Sequence, residues 1–104
     1  MKNRKLAVSL VAGALLSAGA AWAALPAVEA PESYAKPGEV RSSIEGMQRT
    51  LADNAGGNWK AQRGAGICED AARRLRDYVT SQVYTAELGE KIWRECYKAY
   101  TDVE

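Results

Sequence analysis

Cys68 and Cys96 are the two cysteines of this 104-residue chain and its most distinctive chemical groups. Standing 28 positions apart, they form neither the Cys-x-x-Cys pair of a redox centre nor the paired spacing of a zinc site. The chain has no histidine, so the usual general base and zinc ligand is missing, and Ser-His or Cys-His nucleophile pairs cannot be assembled. The 13 acidic residues are interleaved with basic ones, as in Glu87 with Lys91 and Glu90 with Arg94 at i, i+4 spacing. That is the pattern of solvated helix faces, and no carboxylate stands in an apolar stretch that would raise its pKa for acid catalysis. These features predict a protein that is not an enzyme and that uses no cofactor and no metal.

Two chemistries remain for the cysteines, a structural disulfide or a reactive thiol at Cys68. The elements that must position them favour the disulfide. Projected at about 100° per residue, residues 67–81 place Ile67, Cys68, Ala71, Ala72, Leu75, Tyr78 and Val79 on one arc, and Val83 continues it beyond. Residues 85–103 place Leu88, Gly89, Ile92, Trp93, Cys96, Tyr97, Ala99, Tyr100 and Val103 on a wider one. Each cysteine lies near the centre of its arc. A turn near Ser81 to Thr85 then predicts an antiparallel helical hairpin with Cys68 opposite Cys96. Small neighbours at Ala71, Ala72 and Ala99 are expected to permit the close approach a disulfide needs. The reactive-thiol alternative rests on Cys68 standing in the first turn of a helix, where a thiol pKa falls.

Whether such a bridge forms depends on the compartment. Lys2, Arg4 and Lys5, the apolar run Leu6 to Leu16, and Ala21-Trp22-Ala23 read as a Sec-type signal peptide over residues 1–23. The apolar run is too short for an ordinary membrane span. This predicts export to a Gram-negative periplasm, with secretion beyond it as the alternative. Removing the signal leaves 11 basic against 13 acidic residues, so neither nucleic acid nor an anionic membrane is an expected partner.

The mature chain opens with a proline-containing segment, residues 24–38, expected as an extended leader that is either a mobile linker or a tether anchored by Leu25, Val28 and Tyr34. Residues 39–53 fit a helix on the narrow stripe Val40, Ile44, Met47 and Leu51, preceded by a break at Pro37 and Gly38. With Gly46 in its interior it reads as the weakest helix and one able to detach. Residues 54–66 read as a glycine-rich loop in which Trp59 either folds back over the core or stacks on a ligand. The last helix is expected to be capped by Thr85.

Together these predict an all-α domain over residues 39–104, a small three-helix unit whose last two helices are cross-linked by one disulfide. The apolar arc of the last helix is wider than a two-helix hairpin needs. Trp93, Tyr97 and Tyr100 at its far edge, together with Trp59, are therefore the candidate partner-binding residues. The expected function is a periplasmic, non-catalytic protein-binding factor: an inhibitor, adaptor or accessory subunit of another envelope protein. The alternatives are a chaperone-like holdase and a structural component of an envelope assembly.

Overall fold

The computed structural model describes residues 25–103, so the expected signal peptide over residues 1–23 lies outside the described residues. The described residues form three α-helices and no strand: α1 (Pro37–Asp53), α2 (Trp59–Thr80) and α3 (Ala86–Thr101). Each helix packs on the other two. None of them is long and apolar enough to cross a membrane.

The helix α1 begins two residues before its expected start. Pro37 occupies its first turn, where a missing N–H costs nothing and the fixed φ suits a helix. Its stripe Val40, Ile44, Met47 and Leu51 is buried without exception. A narrow stripe is enough because α1 lies in the furrow between the other two helices.

The larger departure is at α2. The expected loop 54–66 is a short turn followed by helix, and α2 starts at Trp59 rather than near residue 67. Asn58 is its cap, accepting hydrogen bonds from the amides of Lys60 and Ala61 at 3.1 and 3.2 Å. Gly64 is buried inside the helix, where a Cβ would stand 3.1 and 3.4 Å from the Leu51 methyls and 3.5 Å from the Ala99 carbonyl. Leu51 of α1 and the Ala99 backbone of α3 both approach the α2 backbone closely here. Cys68 is consequently mid-helix, and the helix-terminus argument for a lowered thiol pKa does not apply to it.

A Schellman motif ends α2. The Val83 amide donates to the Tyr78 carbonyl at 3.0 Å and the Gln82 amide to that of Val79 at 3.1 Å, with Gln82 in the left-handed region at φ 62°. Thr85 caps α3 as expected, its hydroxyl accepting from the Leu88 amide at 3.1 Å.

Cys68 and Cys96 are joined in a disulfide with Cα atoms 4.6 Å apart. Each Cα stands about 2.3 Å from its helix axis, so facing Cα atoms at that distance put the axes about 9 Å apart, inside the usual range of helix packing. The bridge needs no closer approach than that, contrary to the expectation. Both cysteines are fully buried, and Cys96 Sγ lies 3.9 Å from Met47 Sδ of α1. The disulfide is therefore the centre of a three-helix core rather than a link on one side of it.

Candidate functional site

The far edge of α3, where the sequence places its candidate binding residues, is built in two layers. Trp93 and Tyr100 are core residues, 4% and 5% exposed. The Trp93 indole N–H donates to Ser43 Oγ of α1 at 2.8 Å, which fixes its ring. Tyr97 lies stacked on Trp93 with ring centroids 4.7 Å apart and planes 12° from parallel. Tyr34 meets the same indole edge-on at 5.9 Å. Three rings thus form a ladder whose middle member is buried and whose outer member, Tyr97, is 36% exposed.

What covers Trp93 and Tyr100 is the leader. Residues 25–36 carry no helix, but they are folded against the core as an extended arm, with Leu25, Val28 and Tyr34 partly buried on it. Three side-chain hydroxyls hold this arm by its main-chain carbonyls. Tyr100 donates to Pro26 at 2.6 Å, Ser43 to Glu29 at 3.3 Å, and Tyr84 to Tyr34. The arm then turns into α1, where the Ser33 amide donates to Glu39 Oε1 at 3.3 Å. Burial pushes the Tyr84 hydroxyl pKa up, and it does the same to Tyr100, where a hydrogen bond with Thr50 opposes the shift.

Gly89 makes the Tyr84 contact possible. It is buried on the first turn of α3, and a Cβ there would fall on the Tyr84 hydroxyl and 2.9 Å from the Tyr34 carbonyl oxygen. Nothing in the sequence pattern singled out Tyr84 or Ser43, and Gly89 stood only as one position of the apolar arc of α3. A hydroxyl reading a distant carbonyl has no periodicity.

Trp59 stands apart from this ladder. At the first position of α2 its ring is 63% exposed, with the Lys60 ammonium 5.9 Å from the ring centroid, and it does not fold back over the core. Beside this end of α2 an open cleft of about 490 Å³ is lined by Lys60, Arg63, Ile67, Lys98 and Asp102, among others. Glu95 also borders it, but its carboxylate is engaged by Arg74, and that hydrogen bond holds the Arg74 pKa above its ordinary value.

Among the described residues no polar or charged side chain is buried, and no three His, Cys, Asp or Glu groups are placed to hold a metal ion. No protein-family description, curated protein or solved structure matches the chain.

Proposed function

We propose that this is a small exported periplasmic factor, non-catalytic, that binds another protein of the cell envelope through a surface centred on Tyr97. The observation that carries the reading is the aromatic ladder. An exposed tyrosine is held rigid by stacking on a buried indole, so little side-chain freedom is lost when a partner covers it, and tyrosine is among the residues that dominate interface energetics. Trp59, more exposed still, is the second anchor. The signal-like segment at residues 1–23 supports export, and the disulfide suits an oxidising compartment.

We also infer that α2 and α3 run antiparallel as a hairpin. The five residues Ser81 to Thr85 connect them, and the facing pairs Gly64 with Ala99 and Cys68 with Cys96 advance along one helix while retreating along the other.

The test is a photo-cross-linking residue placed at Tyr97 in living cells, with the same residue at exposed Glu69 on α2 as control. One discrete adduct from position 97, absent from position 69, is the expected result. A smear of many adducts would replace the reading with the chaperone-like alternative, and adducts of the protein with itself would replace it with the structural one. Identical patterns from both positions would leave the Tyr97 surface with no special role.

A further inference from the structure

The arm occupies its groove in an unusual way. Every hydrogen bond it receives from α3, from the turn before it and from mid-α1 goes to a main-chain carbonyl: Pro26, Glu29 and Tyr34 accept from Tyr100, Ser43 and Tyr84. Its apolar side chains Leu25, Val28 and Tyr34 are only partly buried. The fit against α1 is also loose. An open cleft of about 220 Å³ lies between the arm and α1, floored by Met47 and Gly46, and a shallow, solvent-open depression bordered by Ser42 and Ser43 continues beside it. Donors aimed at carbonyls accept any extended segment, whereas the cleft and the depression leave room for side chains larger than those the arm supplies.

We propose that the groove between α1 and α3 is a peptide-binding site, held shut in cis by residues 25–36, and that it takes an extended segment of a partner protein with apolar side chains at the spacing of Leu25, Val28 and Tyr34. The segment is recognised by its carbonyls through Ser43, Tyr84 and Tyr100 and selected by what it places in the cleft and the depression. This rests on the protein-binding reading for its purpose and names both the class of ligand and its regulation. The arm lowers the apparent affinity of the site by the fraction of time it stays closed.

The experiment uses the full-length protein and a fluorescein-labelled synthetic peptide of residues 25–36, followed by anisotropy. Val28→Asp weakens the arm in cis and leaves the groove wall intact, so the peptide is expected to bind this variant about tenfold tighter than the native protein. Tyr34→Ala is the second variant should Val28→Asp fail to fold, as judged by near-ultraviolet circular dichroism. Adding Tyr100→Phe to the weakened background should then cost roughly fivefold in peptide affinity. With the native arm it should change little, because arm and peptide lose the same bond. A merely structural role for Tyr100 would not separate the two backgrounds. Equal binding by native and arm-weakened protein, or equal binding of a scrambled peptide, would overturn the proposal. So would a concentration-dependent dimer that the peptide dissociates, which assigns the groove to arm exchange between copies. A discrete adduct at position 97 without peptide binding removes this inference alone, and peptide binding without an adduct removes the envelope-partner reading instead.

Discussion

Gly89→Ala separates the packing described here from ordinary helix propensity, because the two predict opposite signs. In a helix interior the change from glycine to alanine stabilises by about 1 kcal/mol. At position 89 the added Cβ would stand 2.7 Å from Tyr84 Cζ, 2.9 Å from the Tyr34 carbonyl oxygen and closer still to the Tyr84 hydroxyl. The carbonyl belongs to a backbone turn pinned by Ser33 and Glu39, so the Tyr84 ring is the group that must move. Its hydrogen bond to Tyr34 is then lost, at about 1 kcal/mol, and a half-buried hydroxyl and carbonyl are left without partners, at about 1 to 3 kcal/mol more.

Set against the propensity gain, the net loss is about 2 kcal/mol, or roughly 10 °C in Tm for a domain of this size. Thermal unfolding followed by far-ultraviolet circular dichroism measures it. Gly46→Ala and Gly66→Ala are the controls, since neither Cβ would meet anything within 4 Å, and each should stabilise by about 1 kcal/mol. A second readout is spectrophotometric titration, in which the Tyr84 pKa, raised by burial in the native fold, should fall back toward its ordinary value in Gly89→Ala. If Gly89→Ala raises Tm as the two controls do, the Tyr84 anchor of the arm is refuted.

Replacing both cysteines by alanine opens a loop of sequence separation 28 and should destabilise by about 3.5 kcal/mol on the chain-entropy estimate. Denaturant unfolding with and without reductant would show that loss in the native protein and no reductant effect in the double variant. Alkaline stability should follow half-buried Tyr84 and buried Tyr100: both hydroxyl pKa values are raised on folding, so the unfolded chain releases these protons first. Stability is full below the ordinary tyrosine pKa of about 10 and falls as pH rises through and above it. Unfolding free energies measured at about pH 8 and about pH 11 should differ less in Tyr84→Phe and Tyr100→Phe than in the native protein. Gln82→Gly, at φ 62° in the Schellman turn, should stabilise by about 0.5 to 1 kcal/mol, and an unchanged Tm would show that the left-handed glutamine carries no penalty there.

The parts of this fold legible in the sequence were those written in periodicity. The stripe of α1 and the placing of both cysteines at the centres of apolar arcs follow from spacing and reappear in the core, and the cap at Thr85 is formed at the exposed start of α3. The start of α2 was hidden by four glycines between residues 56 and 66, two of which are helical. A glycine suits position 64 within the helix because Leu51 and Ala99 approach too closely for an ordinary side chain to fit easily, a constraint set by α1 and α3 that no local reading of residues 54–66 contains. Asn58 was the available signal, a good cap residue directly before the helix, and glycine abundance outweighed it. The candidate site was half legible for a related reason. Width of the α3 arc showed that it needed more cover than a hairpin partner gives, but which of Trp93, Tyr97 and Tyr100 stayed outside depended on the arm.

In the sequence the prolines of that arm suit either a linker or a tether anchored by Leu25, Val28 and Tyr34, and on the folded chain they have a further physical meaning. An extended segment laid on an apolar face must find partners for its main-chain N–H and C=O groups or leave them facing water. Pro26 and Pro31 have no N–H, so the arm presents fewer donors to satisfy, and the groups most in need of partners are its carbonyls. Hydroxyl side chains are what the groove supplies: Tyr100 for Pro26, Ser43 for Glu29 and Tyr84 for Tyr34. No strand edge is available among the described residues to pair such a segment in the usual way. Here the arm is held by side-chain groups, three hydroxyls on its carbonyls and the Glu39 carboxylate on the Ser33 amide, and the same three hydroxyl donors that seat it are the ones an incoming segment would have to capture.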